Sequence, residues 1–461
     1  MEKESNVKVL TDSLGTVEVP DDALYGAQTQ RAIDNFPLSH RPMPAAFLQA
    51  LAQIKAAAAG ANATLGLLDP AVSRAISEAA LEVANGAHLE QFPVDVYQTG
   101  SGTSTNMNMN EVLATLAGRI TGSAVHPNDQ VNLGQSSNDV IPAAIHLSAA
   151  RRLREELLPA VNHLIAVIDR RAIELSARVK TGRTHLMDAM PLTYGQELSG
   201  WSAALSAAAG RIDNLVPALL QLPLGATAVG TGVNAHVEFA RTASARLREL
   251  TGLPCTPCRN NFAALSSPDT AVALSGELKA LAVTLMKISN DLRWMNSGPL
   301  AGLAEIELPA LQPGSSIMPG KVNPVIPEAV AMVCAQIIGY DTAITVAGQS
   351  GNFQLNVMLP LIASNLLEGM ALLGNASRLL ADRAIAGFQV REDRIAEALG
   401  RNPILVTALN PIIGYAEAAA IARRAYAQGR DVIDVAEEMT ELSRERLEEL
   451  LDPERLTKPA S

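Results

Sequence analysis

Between positions 7 and 20 apolar and polar residues alternate, with Val7 and Val9, then Val17 and Val19, on either side of Ser13-Leu14-Gly15. A period of two predicts a small β-hairpin, the clearest strand signal in the chain. From 44 to 85 the pattern turns helical and alanine-rich, with a break near Asp69-Pro70. Further helices are expected to begin near Asn108 and at Ser136. Leu274, Leu278, Leu281, Leu285, Ile288 and Leu292 then recur at alternating spacings of four and three, so one helix face is buried against other helices. Leu157, Val161, Leu164 and Ile168 repeat the pattern, with a kink expected at Pro159, and Leu366, Met370, Leu373 and Leu380 continue it. These seams predict a bundle of long helices. Past about Ala386 the elements shorten to 394–399, 404–409, 415–428 and 442–451, punctuated by Asn402-Pro403 and Asn410-Pro411. The expected architecture is mainly α, in three domains. A mixed, mostly helical segment spans 1–138, the long-helix bundle 139–390, and a small helical domain 391–461.

Composition narrows the partners. With 461 residues the chain is long enough for a substantial core. Aromatics make up only 3%, and the abundant alanine and leucine favour closely packed helices. The net charge of −11 argues against nucleic acid or an anionic membrane surface as partner. An anionic ligand therefore gains nothing from the overall field and needs a local cluster of cations and N–H donors. Cys255 and Cys258 form a lone C-x-x-C with no second pair and no histidine at finger spacing, and Cys334 stands alone. Reduced, inert thiols are expected, and no metal site. The polar start, Met-Glu-Lys-Glu, and the lack of an uninterrupted apolar run of membrane-spanning length lead us to expect a soluble, cytoplasmic protein.

The stretch Gly314-Ser-Ser-Ile-Met-Pro-Gly-Lys-Val-Asn-Pro324 packs two glycines and two prolines into eleven residues, so it is neither a regular helix nor a central strand. Its two hydroxyls, ammonium and carboxamide suit a small anion whose charge is held while a proton moves. A nucleotide phosphate loop is excluded: five residues separate Gly314 from Gly320, and Val322 stands where a magnesium-binding hydroxyl is required. The Gly/Ser/Thr-rich stretch from Thr99 and the segment from Ser136 to Asp139 each precede a helix. Each reads as a helix cap or as an anion site at the helix's positive end. Of the seven histidines, His146 and His163 fall within predicted helices, and His40, His88 and His236 lie in or near loops without a local partner. His185 lies between two predicted helices.

These stretches together carry a resemblance. The 314–324 loop looks like the signature of the fumarase/aspartase superfamily. Thr99-Gly-Ser-Gly-Thr103, His126-Pro-Asn-Asp129, Ser136-Ser-Asn-Asp139 and Gly182-Arg-Thr-His-Leu186 match in the same order, from about Thr11 to Leu456. Within the superfamily the likeness is greatest to class II fumarate hydratases. The resemblance implies the three-domain fold of that superfamily, with four subunits pooling their long helices into one core and active sites shared between subunits. It implies reversible hydration of fumarate to malate without metal or other cofactor. Ser315 would be the C3 base. His185 would work on the water side, paired with Glu328, and Lys321 and Asn323 would stabilise the developing charge. Ser101, Gly102, Thr103, Ser136, Ser137, Asn138, Thr184 and Ser316 would bind substrate. His126, Pro127, Asn128 and Asp129 match a second anion site, although a helix-start role is equally open there. After the signature this chain reads Asn323-Pro-Val-Ile-Pro-Glu328, as aspartases do. His126, His185 and Ser136-Ser-Asn138 are instead fumarase-like. Aspartate ammonia-lyase, or a catalytically silent structural relative, is the alternative.

Overall fold

The computed structural model describes residues 7–459; the polar start of the chain lies outside them. The alternating stretch forms the antiparallel hairpin of β1 (Val7–Asp12) and β2 (Gly15–Pro20), with Val7 opposite Pro20 and Asp12 opposite Gly15. Six helices follow: α1 (Ala27–Asn35), α2 (Ala45–Thr64), α3 (Pro70–Ala84), α4 (Thr103–Thr121), α5 (Ser137–Arg152) and α6 (Leu158–Glu174). The break at Asp69-Pro70 is a helix start. The Asp69 carboxylate accepts the N–H groups of Ala71 and Val72, and Pro70 occupies the first position, where no N–H is needed. The helix expected near Asn108 begins earlier, at Thr103, because Gly102 (φ +74°) turns the chain into it. A Cβ at Gly102 would meet the Ile141 side chain at 2.9 Å. The kink expected at Pro159 takes the form of a π-helical turn at Leu153–Leu157 joining α5 to α6. Proline has no N–H to return to the preceding turn, and a widened turn absorbs that loss.

The leucine seams are buried as expected. Leu274, Leu281, Leu285, Ile288 and Leu292 are wholly inaccessible along helix Asp269–Met295, as are Leu157, Val161, Leu164 and Ile168. By contact the chain divides into two discontinuous units. The first comprises Met1–Pro159, Gly210–Ala282 and Ala335–Gly374; the second comprises Ala160–Ala209, Val283–Cys334 and Asn375–Ser461. Helices Asp269–Met295, Val325–Gln349 and Leu359–Leu380 each give a stretch to both. The three intervals 1–138, 139–390 and 391–461 follow chain order and stand as a proposal for the domain division of the chain. The last of them carries its own apolar cluster, built on Leu405, Leu409, Ile421, Val435 and Leu447. Helix Val432–Met439 within it was absent from the periodicity reading.

One detail revises the sequence reading. His185 is not between helices but at the tip of a hairpin, β3 (Val179–Thr184) and β4 (Met187–Thr193), which runs into helix α7 (Tyr194–Asp213). Helix Val325–Gln349 is the one described helix long and apolar enough to cross a membrane, with 28% of its apolar window buried in the chain. The short polar interruptions that hid it, Glu328 and Asp341, sit on a 25-residue helix, and Asp341 is tied down by Lys279 at 2.6 Å and Ser275 at 2.8 Å.

In the first unit a buried charge fixes the start of α5. Asp139 accepts the Ser136 N–H at 3.0 Å through Oδ1, and the N–H groups of Gly225 at 3.1 Å and Thr227 at 2.8 Å through Oδ2. Burial pushes its carboxyl up to about 6, against the pull of those N–H groups and of Lys55. Lys55, fully buried, donates to Asn132 at 2.9 Å and Gln135 at 3.0 Å, and burial pushes its ammonium down to about 7. An asparagine at 139 would turn an amide N–H₂ toward N–H donors. Asp139→Asn is expected to cost roughly 1–3 kcal/mol in denaturant unfolding. An unchanged midpoint would contradict this account of the α5 start.

Candidate active site

Three segments carry the expected chemistry. In the first unit α4 and α5 start side by side. Ser101 Oγ lies 2.7 Å from Thr103 Oγ1, which lies 2.8 Å from Ser137 Oγ, giving a row of three hydroxyls. Gly100 supports this corner, because a Cβ there would fall 1.7 Å from the Val357 carbonyl oxygen. Ser136 caps α5, with its Oγ accepting the Asn138 N–H at 3.2 Å, and Asp139 completes a capping box. The Asn138 side chain donates to the Ala228 carbonyl at 2.8 Å. Capping is what these contacts show, and it does not compete with an anion site, since both draw on the positive end of a helix. Ser101, Gly102, Thr103, Ser136, Ser137 and Asn138 are thus brought together.

His126 to Asp129 open a π-helical turn, Pro127–Val131. His126 Nδ1 accepts the Asp129 N–H at 3.0 Å, the geometry of a helix start. His126, Pro127 and Asn128 border a cavity of about 790 Å³ that also touches Arg31, Thr99 and Ser104. Arg31 is committed to Asp12 at 2.8 Å.

The second segment is the β3–β4 hairpin in the second unit. Arg183 faces Asp188 and Thr184 faces Met187, which leaves His185 and Leu186 as a two-residue turn. Their φ values are +55° and +62°. Both are the left-handed conformation of a primed hairpin turn, which favours asparagine and glycine. Thr184, His185 and Leu186 are exposed.

The third segment is the 314–324 loop. Gly314 (φ +85°) must be glycine, because a Cβ would fall 1.7 Å from the Lys321 carbonyl oxygen. Ser315 N–H donates to that oxygen at 3.2 Å, and Lys321 N–H donates to Met318 O at 3.2 Å, so the loop closes on itself. Ser315 Oγ accepts the N–H groups of Ile317 at 3.3 Å and Met318 at 3.0 Å. Lys321 Nζ donates to Asn323 Oδ1 at 2.9 Å. Lys321, Asn323 and Glu328 line a cavity of about 430 Å³ with Arg293, Trp294 and Asn296. Ser316 lies exposed in the same loop.

Among the described residues, no hydrogen bond or ion pair joins His185 to Glu328. The expected pairing is therefore not made within one chain. Sequence reasoning also missed the buried Lys180 and Glu305; Glu305 pairs with Arg183 and Lys180 from more than a hundred positions away, which leaves no local signal. Burial raises all three thiols, Cys255 to about 11 and Cys334 to about 12, and all three are free.

Known proteins resemble this chain across its length. Residues 15–339 match the lyase family, and residues 405–458 match the fumarase C C-terminus. A class II fumarate hydratase of Pseudomonas aeruginosa is 62% identical over 453 residues, covering 98% of this chain and 99% of that one. One of Xylella fastidiosa is 60% identical over 457 residues, covering 99% and 97%. The crystal structure of a class II fumarase from Schistosoma mansoni superposes with a TM-score of 0.96 at 41% identity, over 99% of this chain and 100% of that one. A fumarate lyase:delta crystallin from Brucella melitensis gives 0.94 at 42% identity, over 98% and 100%. Identity at this level over the full length favours fumarate hydration over the alternatives: the chain belongs to the class II fumarate hydratases and hydrates fumarate.

Proposed function

We propose that the reaction is a reversible anti hydration of fumarate to (S)-malate, in which Ser315 moves the C3 proton and His185 acts on the water. The observation that carries this reading is the hydrogen-bond state of Ser315, whose Oγ receives two backbone N–H groups from its own loop. A serine is a poor base unless its alkoxide is stabilised, and two fixed amides with the Lys321 ammonium in the same loop supply that. In the dehydration direction Ser315 Oγ takes the proton from C3, and its electron pair goes onto the adjacent carboxylate as an aci-carboxylate. The C2–O bond then breaks, and the leaving hydroxide takes a proton from the imidazolium of His185, through solvent. Hydration reverses these steps. The largest charge to hold is on the carboxylate next to C3, and Lys321 and Asn323 are the donors for it.

The hydroxyls of Ser101, Thr103 and Ser137, at the starts of α4 and α5, would bind a substrate carboxylate, alongside Thr184 and Ser316. Glu328 would raise the basicity of a partner subunit's copy of His185. Such pairing requires a second copy of the chain, and the assembly in this reading is a homotetramer with shared sites. The apolar helix Val325–Gln349, largely uncovered in the single chain, supports burial against other copies. His126 to Asp129 would offer a second anion site beside their capping role.

Ser315→Ala should lower kcat by about 10²–10⁴-fold with KM nearly unchanged, because the hydroxyl acts in the transition state. Lys321→Ala should raise KM as well as lower kcat. A wild-type kcat in the folded serine variant would remove Ser315 from the mechanism.

Shared sites make a separate prediction. Inactive Thr103→Val and His185→Gln chains, dissociated, mixed and reassembled, should regain activity that neither has alone. Co-assembled mixtures that stay inactive would contradict sharing.

A further inference from the structure

The hairpin that carries His185 is under local tension. Its turn consists of two residues with side chains, both at φ values where side chains crowd the backbone. Neither residue is glycine or asparagine. A free hairpin with this sequence would relax by opening or slipping its turn, and the imidazole would lose its direction. Something in the stem must oppose that.

The stem is held by charge. Lys180, on β3, is 3% exposed and donates to Glu197 of α7 at 2.8 Å. Its ammonium also lies 2.9 Å from Glu305 Oε2, an oxygen that receives no hydrogen bond and is held by charge alone. Glu305, likewise 3% exposed, accepts from the Arg183 guanidinium at 2.5 Å through its other oxygen. One carboxylate thus grips two cations three residues apart on the same strand. Tyr194 lies under the Lys180 ammonium, with its ring centroid 4.8 Å away. Burial, then Glu305 and Glu197, push the Tyr194 phenol up, so it stays neutral beneath that cation. Burial works against the Arg183 charge, but Glu305, with Asp188 across the hairpin and Glu197, holds it above its ordinary value.

Glu305 is itself anchored. Its N–H donates to the Met295 carbonyl at the end of helix Asp269–Met295, and its carbonyl accepts the Arg391 N–H, both at 2.8 Å. A buried cluster of two cations and two carboxylates is a poor way to gain stability, since apolar side chains of similar volume do as well. What it gives is a fixed register and direction.

We propose that the Lys180–Glu305–Arg183 cluster is a positioning device, clamping the β3–β4 stem so that the two-residue turn keeps His185 aimed. Glu305 and Lys180 touch no substrate in this scheme; they act through the histidine. The inference rests on the assignment of His185 to the reaction.

The test uses the full-length enzyme and four variants: Glu305→Gln, Arg183→Lys, His185→Gln, and Glu305→Gln combined with Leu186→Gly. Glu305→Gln should lower kcat by about tenfold or more, as expected for a misplaced group, with KM within about threefold. Arg183→Lys keeps the charge but loses the planar fork, and should show a smaller loss of kcat. That variant also serves if Glu305→Gln fails to fold. Leu186→Gly removes the strain at φ +62°, so in the Glu305→Gln background it should restore most of the lost kcat. A purely structural role for Glu305 would not be reversed at an exposed turn residue. Wild-type kcat in both folded Glu305→Gln and Arg183→Lys would overturn the proposal, as would a Glu305→Gln loss that Leu186→Gly leaves untouched. His185→Gln separates the two layers. If it retains wild-type kcat, the assignment of His185 falls. If it is inactive while the clamp variants are not, only the clamp falls.

Discussion

An acidic protein that binds a dianion must do so with donors fixed close to the ligand, because its overall field repels it. Most of this chain's distinctive geometry meets that constraint. The starts of α4 and α5 present a row of hydroxyls from Ser101, Thr103 and Ser137 at the positive ends of two helices. The 314–324 loop folds back on itself so that amides point at Ser315 Oγ, and Lys321 is the one full positive charge in that loop. Backbone donors cannot swing away or collapse into ion pairs, so they need little reorganisation when charge develops on the substrate.

Such donors demand close backbone approaches and special conformations, and these are found at the site. Gly100 and Gly314 lie where a Cβ would overlap a carbonyl oxygen, and Gly102 where it would strike Ile141. His185 and Leu186 have side chains and yet adopt left-handed conformations. Restraint comes from buried charge nearby. Asp139 holds the start of α5, with Lys55 beneath the preceding turn, and Glu305 holds the hairpin stem. Each buried charge is costly and each is multiply paired, so the protein spends stability on direction.

How legible this was depended on whether the signal was local. The long helices could be read because a seam such as Leu274 to Leu292 writes its period directly into the chain. The N-terminal hairpin could be read for the same reason with a period of two. The β3–β4 hairpin could not, since neither strand alternates and its turn has none of the usual glycine or asparagine. Thr103 was misjudged as loop because its helix starts on glycine and small polar residues, a composition that turns share. Most candidate site residues were marked by resemblance rather than by physics: a serine beside a glycine carries no sign of the amides that will meet it. The buried pairings were invisible for a simpler reason. Arg183 and Glu305 are 122 positions apart, and only the fold brings them together.

The central claim is that this site adds water across fumarate with the proton and the hydroxyl on opposite faces. Incubating the purified protein with fumarate in deuterated water and examining the product by proton NMR tests it most directly. The account predicts (S)-malate carrying a single deuterium at C3, in the one diastereomer that anti addition allows. Malate with deuterium scrambled between the two C3 positions at early times, the syn diastereomer, or unchanged fumarate would contradict it.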